Sequence, residues 1–223
     1  FSFLCDGNSG TYTYKVSGLS QEVREGSYDL VSVSDKENFL QEINHVQTAE
    51  EAKACLEKYQ EIIGFDFPLL EQLENPMNVF EWIIQAEEFT TVAQVLSFLE
   101  NGAVVQAINE AADVESLRQV MKEYDAYIKL SQQEAEKEFS DLEAKEQDEV
   151  LGEILNEDFS SMGEFHAYFN LKTLFTCIYR APQYATVTSL IETYHELLGL
   201  DLTAYHSLDS KSSVAKGLMN QKF

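Results

Sequence analysis

Internal repetition is the feature that most constrains how this chain folds. Read forward without gaps from Ile43, Ile108 and Ile178, three stretches of sequence match one another. Sixteen positions on, each stretch has a tyrosine, and apolar residues recur 20 and 22 positions on: Tyr59, Tyr124 and Tyr194; Ile63, Ile128 and Leu198; Phe65, Leu130 and Leu200. A fixed period of about 65 to 70 residues predicts tandem units that share one fold.

The second half of each unit matches as well. The aligned residues are Val79, Val150 and Val214, then Ile83, Ile154 and Leu218, then a closing phenylalanine at Phe89, Phe159 and Phe223. Nearly all of these positions are apolar, so the repeated element is a hydrophobic core. We predict units at about 39–106, 107–171 and 172–223, the last incomplete, and name them copy 1, copy 2 and copy 3.

The two ends of the sequence suggest that this chain comes from a larger one. It opens at Phe1 without a start methionine, and it closes at Phe223, where the third unit would pass into its next helix. Both ends favour either cleavage from a precursor or a segment of a longer repeat protein. Neither carries a recognisable secretion signal.

The net charge of the chain excludes nucleic-acid binding first. Thirty-nine acidic residues against 15 Lys and Arg give a net charge of −24, which makes contact with nucleic-acid phosphates unfavourable over most of the surface. The carboxylates are spread along every predicted helix rather than spaced like phosphates. They are therefore interpreted as solvated helix faces, although an acidic inhibitor of a basic protein stays as an alternative.

Membrane insertion, metals and cofactors find no support in the sequence. No run of 18 apolar residues occurs, so we predict no membrane-spanning helix. The cysteines Cys5, Cys55 and Cys177 are widely spaced, which disfavours a zinc site, and Cys55 and Cys177 fall at apolar helical positions typical of buried thiols. No pattern typical of a catalytic, metal or cofactor site is present, so we predict that the protein is not an enzyme.

The periodicity of apolar residues changes from that of a β-strand to that of a helix near residue 35. Residues 11–16 and 28–33 alternate with the period of a β-strand, so residues 1–34 are predicted to form a β-hairpin or the end of a β-sandwich. From residue 35 to 223 the period is helical. Thr48 with Glu51, and later Asp113, have the spacing of helix starts, and Gly64 and Gly199 that of helix stops. The predicted fold class is mainly α: tandem helical repeats preceded by a short N-terminal β segment.

Aromatic residues supply candidate partner contacts. Tyr12, Tyr14 and Tyr28 lie in the predicted strands, and the single Trp82 lies among apolar helical residues, where a core position is favoured over a partner contact. We predict these four residues as possible partner contacts, with Trp82 the weakest of them.

A short signature supports a resemblance. The pattern Ile-Asn-x-Ala with a following acidic helix start, and the segment 197–208 (LLGLDLTAYHSL), resemble small tandem helical repeats of surface-layer-type proteins of Gram-positive bacteria and of structural proteins of their phages. Residues 10–16 are similar to the end of the Ig-like domains that accompany such repeats. Copy 2 departs from the signature, with Lys129 and Ser131 in place of Gly and Asp. The resemblance implies a spacer or assembly module with no active site.

The sequence thus favours a non-enzymatic structural protein of a phage virion, placed at the capsid surface, neck or tail. Its expected partners are other structural proteins or copies of itself. Two alternatives stay open: a segment of a bacterial cell-surface repeat protein, and an acidic inhibitor that binds a basic host protein.

Overall fold

The computed structural model describes residues 10–17, 23–30, 33–66, 68–207 and 210–220, with side chains from Asp35 onward except those of residues 204, 219 and 220. Helices dominate these residues, which confirms the mainly α fold class. None of the helices in this part of the chain combines the length and the apolarity needed to cross a bilayer.

Two strands precede the helices. β1 (Gly10–Ser17) pairs antiparallel with β2 (Val23–Leu30), in a register that sets Tyr12 opposite Tyr28 and Tyr14 opposite Gly26. The connection between them and the residues on either side lie outside the described ranges. A hairpin or sandwich end over 1–34 therefore stays a prediction.

The chain divides into two compact parts, residues 1–100 and 101–223. After the strands, the first part contains α1 (Val33–Ile43), α2 (Ala49–Ile63), α3 (Pro68–Gln72), α4 (Met77–Gln85) and the start of α5 (Val92–Asn109). α2 packs against both α1 and α4. The core of this part is almost fully buried at Phe39, Ile43, Ala52, Leu56, Val79 and Ile83.

The second part begins within α5 and continues through α6 (Val114–Glu123), α7 (Asp125–Ile128), a 3-10 turn (Leu130–Gln132), α8 (Glu136–Asp141), α9 (Ala144–Ile154), α10 (Met162–Arg180), α11 (Tyr184–Tyr194), α12 (Leu202–His206) and α13 (Lys211–Asn220). α10 is its central element, because it contacts α8, α9, α11 and α13. Buried core residues of α10 include Phe165, Phe169, Leu174 and Ile178.

Side-chain caps begin several of these helices at aligned positions. The Thr48 hydroxyl accepts the Glu51 N–H (3.2 Å), and the Asp113 carboxylate accepts the Ser116 N–H (2.8 Å), as the sequence predicted for these two starts. Later in the units, the Gln94 side-chain oxygen accepts the Thr90 N–H, and the Thr91 hydroxyl accepts the Gln94 N–H. Glu164 makes the same two contacts with Ser160 and Ser161. The local signals for helix starts are thus repeated in copies 1 and 2.

A residue in the left-handed conformation stands at the same aligned position of every copy. Gly64 (φ 67°), Lys129 (φ 52°) and Gly199 (φ 64°) occupy the same aligned position. Lys129 therefore adopts the backbone conformation that glycine supplies in the other two copies, although its Cβ makes that conformation unfavourable. The repeat keeps the turn even where the sequence loses the glycine.

Replacing Lys129 by glycine should stabilise the protein. The Lys129→Gly change removes the left-handed penalty and gains about 0.5–1 kcal/mol in the free energy of unfolding, measured by urea denaturation. Gln119→Gly is the matched control, because Gln119 is exposed in the middle of α6, where glycine costs about 1 kcal/mol. Equal destabilisation by both changes would contradict this assignment.

Candidate interaction surface

An asparagine binds the backbone of the closing phenylalanine in copy 1. Asn44 lies just past the end of α1, and its Nδ2 donates to the Phe89 carbonyl at 2.8 Å, while its Oδ1 accepts the Phe89 N–H at 2.9 Å. One side-chain amide thus satisfies both polar groups of a residue that lies 45 positions away. The Phe89 ring is 9% exposed and makes an edge-to-face contact with Phe98.

Copy 2 contains the same arrangement with its own residues. Asn109 ends α5, its Nδ2 donates to the Phe159 carbonyl at 2.8 Å, and its Oδ1 accepts the Phe159 N–H at 3.0 Å. The Phe159 ring contacts Phe165 and Tyr168 of α10. We call this pair of hydrogen bonds the Asn–Phe clamp. It holds Phe89 and Phe159 just before α5 and α10 begin.

Copy 3 has a different residue at the clamp position. Tyr179 aligns with Asn44 and Asn109, and it is 42% exposed. The closing Phe223 of this copy lies outside the described residues. The repeat was recognised from its apolar positions, and the clamp was not predicted. The asparagine that follows both Ile43 and Ile108 is the sequence signal that points to it.

Removing a clamp should destabilise its half of the molecule. Asn109→Ala leaves two partly buried backbone groups of Phe159 without a partner, at a cost of about 1–3 kcal/mol in the free energy of unfolding. Hydrogen exchange of the Phe159 amide should accelerate in the variant. Asn156→Ala is the control, because Asn156 is exposed and its side-chain amide donates to the carbonyl of Gly152 in α9. The clamp has no energetic role if both variants behave alike.

The first half of α10 is seated in copy 2 by polar and apolar contacts. His166 Nε2 lies 2.7 Å from the Ile128 carbonyl, and since that oxygen can only accept, this nitrogen carries the proton. Asn170 Oδ1 accepts the Ala135 N–H at 3.3 Å. Phe169 packs on Phe139 of α8, with ring centroids 5.0 Å apart. The end of α7, α8 and α9 thus form the surface that binds the first half of α10, which we call the seat of copy 2.

His166 should make the stability of the protein depend on pH. Burial lowers the pKa of His166, with the hydrogen bond to Ile128 acting in the opposite direction. Because the folded pKa lies below that of the unfolded chain, about 6.5, the unfolded state binds the proton first and stability falls as pH falls below that value. Between pH 7.5 and 5.5, the wild-type unfolding free energy should decrease relative to that of His166→Gln.

The control for this pH dependence is His45→Gln, because the His45 ring is exposed and is hydrogen-bonded to the Gln41 carbonyl of α1. The pH dependence assigned to His166 should persist in this variant. A difference between wild type and His166→Gln that stays constant with pH would contradict the role of His166.

An apolar groove of about 360 Å³ lies in copy 3, between the end of α10, the end of α11, α12 and α13. Its buried floor includes Ile178, Ile191 and Tyr205. Its open wall consists of Phe175, Tyr179, Leu198, Leu200, Leu202, Val214 and Leu218, and the Asp201 carboxylate also lines it. We call it the C-terminal groove.

The open wall is unusual because three of its residues have counterparts in both other copies that are buried. Ile63, Val79 and Ile83 of copy 1 are at most 9% exposed, and Ile128, Val150 and Ile154 of copy 2 are at most 1% exposed. Their counterparts Leu198, Val214 and Leu218 are only half-buried. Among the described residues, the most exposed large apolar side chains are Leu200 (45%), Tyr179 and Tyr184 (42%) and Phe175 (41%), all in copy 3.

A second groove of about 350 Å³ lies in the N-terminal part and has a different chemical character. It is lined by apolar residues at positions that align with the floor and wall of the C-terminal groove, namely Leu56, Phe65 and Leu70. Lys53, Glu57, Asp66 and Glu71 also line it. Its polar lining makes it a weaker candidate for binding an apolar surface.

Ion pairs between helices support the packing around α10. Lys172 Nζ is 2.9 Å from Glu153, and Arg180 is 2.7 Å from Glu149, so α10 runs antiparallel to α9. At the other side of copy 3, Lys211 of α13 pairs with Glu192 of α11 at 2.6 Å and lowers the pKa of that carboxyl. Because solvent screens exposed pairs of this kind, they contribute little to stability.

The predicted contact residues lie elsewhere. Tyr12, Tyr14 and Tyr28 are in β1 and β2, of which the structure describes the backbone, and Trp82 is half-buried in α4 rather than part of the fully buried core. The C-terminal groove is lined by residues of the second part of the chain. The role of the four predicted residues as partner contacts stays a prediction.

In the described region, no group of three or more His, Cys, Asp or Glu side chains is placed to hold a metal ion. Cys55 is buried and Cys177 half-buried, and both thiols are free. Burial raises the pKa of each thiol to about 11, so neither is a reactive thiolate at neutral pH.

Comparison of the chain with protein-family models, with curated proteins and with solved structures gives no match. Functional inference therefore depends on the geometry of this molecule.

Proposed function

We propose that this protein is a non-enzymatic assembly module built of tandem helical repeats behind a short β segment. The observation that carries the proposal is the C-terminal groove: Leu198, Val214 and Leu218 align with buried core residues of copies 1 and 2 but are only half-buried in copy 3. Exposed apolar surface of this kind is typical of sites that pack against another protein. The proposed activity is packing into a larger structure.

The repeated structural details support the helical-repeat part of the proposal. The Asn–Phe clamp, the left-handed residue and the paired caps of Thr90-Thr91 and Ser160-Ser161 recur at aligned positions with the same geometry. Contacts that repeat in this way are expected when each unit is completed by the helix that comes after it. The proposed units remain about 39–106, 107–171 and 172–223.

The setting we propose is a phage virion, with a site at the capsid surface, neck or tail. Free, unreactive thiols at Cys55 and Cys177 suit assembly in a reducing compartment, and the net charge of −24 suits a module that contacts proteins rather than nucleic acid. A bacterial cell-surface repeat protein would use the same packing surface in an envelope.

Electron microscopy tests the setting. Gold-labelled antibody against this chain should decorate purified phage particles at symmetry-related positions. The matched control is the cell envelope prepared from uninfected cells of the host, which should stay unlabelled. Labelling confined to the envelope would overturn the virion assignment and favour the cell-surface alternative.

Sedimentation tests the assembly role itself. We expect the purified chain, at concentrations near 1 mM or mixed with other structural proteins of the particle, to form complexes larger than a monomer, because such concentrations detect even weak interfaces. A chain that stays monomeric and binds none of those proteins would contradict the proposed role.

A further inference from the structure

We propose that the C-terminal groove binds one charge-poor, amphipathic helix of a partner protein. An aromatic residue of that helix inserts into the groove, in the way that the first half of α10 is bound in copy 2. This inference rests on the proposed assembly function and names the chemistry of the partner. The occupant is identified from the helix that the same surface receives one copy earlier.

The groove continues an interface that the molecule already uses. In copy 2, the end of α7, α8 and α9 form a seat for Phe165 and Phe169, which are fully buried. In copy 3, the turn after α11 together with α12 and α13 places Leu198, Tyr205 and Leu218 around an open groove. The apolar residues of this surface align between the two copies at Ile128 and Leu198, and at Ile154 and Leu218.

The groove also contains polar groups that are placed to form hydrogen bonds with a bound helix. In copy 2 the Ile128 carbonyl accepts a hydrogen bond from His166, and the aligned carbonyl in copy 3 is that of Leu198. The Tyr205 hydroxyl on the groove floor is buried without a hydrogen-bond partner among the described residues. A helix with a side-chain donor one residue after its first aromatic anchor would bind here as His166 does.

Charge restricts the occupant further. The segment that enters the seat of copy 2, Met162–Phe169, contains one charged residue, Glu164, and the aligned start of α5, Val92–Leu99, contains none. On a chain with a net charge of −24, these stretches are notably poor in acidic residues. A helix rich in carboxylates would be repelled, so the partner helix is neutral or basic on its exposed face.

A peptide with the sequence of Phe159–Leu174 is the probe. Fluorescently labelled, it should bind the full chain saturably with one peptide per chain, measured by anisotropy. Leu200→Glu in the chain should weaken binding about tenfold or more, because it places a charge in the open wall. Ile84→Glu, at a similarly exposed apolar position of the N-terminal part, is the control and should leave binding unchanged.

Two further variants test the binding mode. A peptide with Phe165→Ala and Phe169→Ala should not bind. Tyr179→Asn in the chain restores the residue that forms the clamp in copies 1 and 2, and it should tighten binding several-fold by holding the backbone of the peptide's first phenylalanine. Circular dichroism checks that each variant of the chain keeps its helix content.

The inference is overturned if the peptide does not bind, if Leu200→Glu leaves its affinity unchanged, or if Tyr179→Asn does not tighten it. It is also overturned if the chain dimerises and Leu200→Glu makes it monomeric, because a second copy then occupies the groove. In each case, decoration of particles and formation of larger complexes still test the assembly function independently.

Discussion

The architecture depends on an asparagine side chain that binds both polar groups of a distant phenylalanine. A phenylalanine that is to be buried must bring its own N–H and C=O away from water, and each needs a partner there. The amide of Asn44 or Asn109 offers one donor and one acceptor in the required orientation. Because the clamp fixes the chain just before the next helix, it sets the direction in which that helix packs.

α10 links two units of the repeat as a consequence of this constraint. Its first half fills the seat of copy 2 with Phe165 and Phe169, and its second half carries Ile178 into the core of copy 3. One helix therefore closes one predicted unit and opens the next. This arrangement makes the packing of copy 2 depend on α10, and copy 3 keeps an apolar wall that no described residue covers.

The chemistry of the molecule is consistent with recognition through that wall. Its many carboxylates keep most of the surface hydrated, and the few basic residues near α10 are used in ion pairs between helices, such as Arg180 with Glu149. The thiols are unreactive at neutral pH. Apolar side chains in the C-terminal groove are thus the groups most available to a partner, and their burial would supply the driving force for binding.

Sequence alone determined the helical period, the caps at Thr48 and Asp113 and the stop at Gly64, because these signals act within a few residues. It did not reveal that Lys129 takes the left-handed conformation, since there the packed turn overrides a local preference. Only the tertiary structure decided the partners of Asn44 and Asn109, which lie 45 and 50 residues away, and the exposure of Val214 and Leu218. The same residue types are core in copies 1 and 2, because burial depends on what packs against a helix as well as on its own sequence.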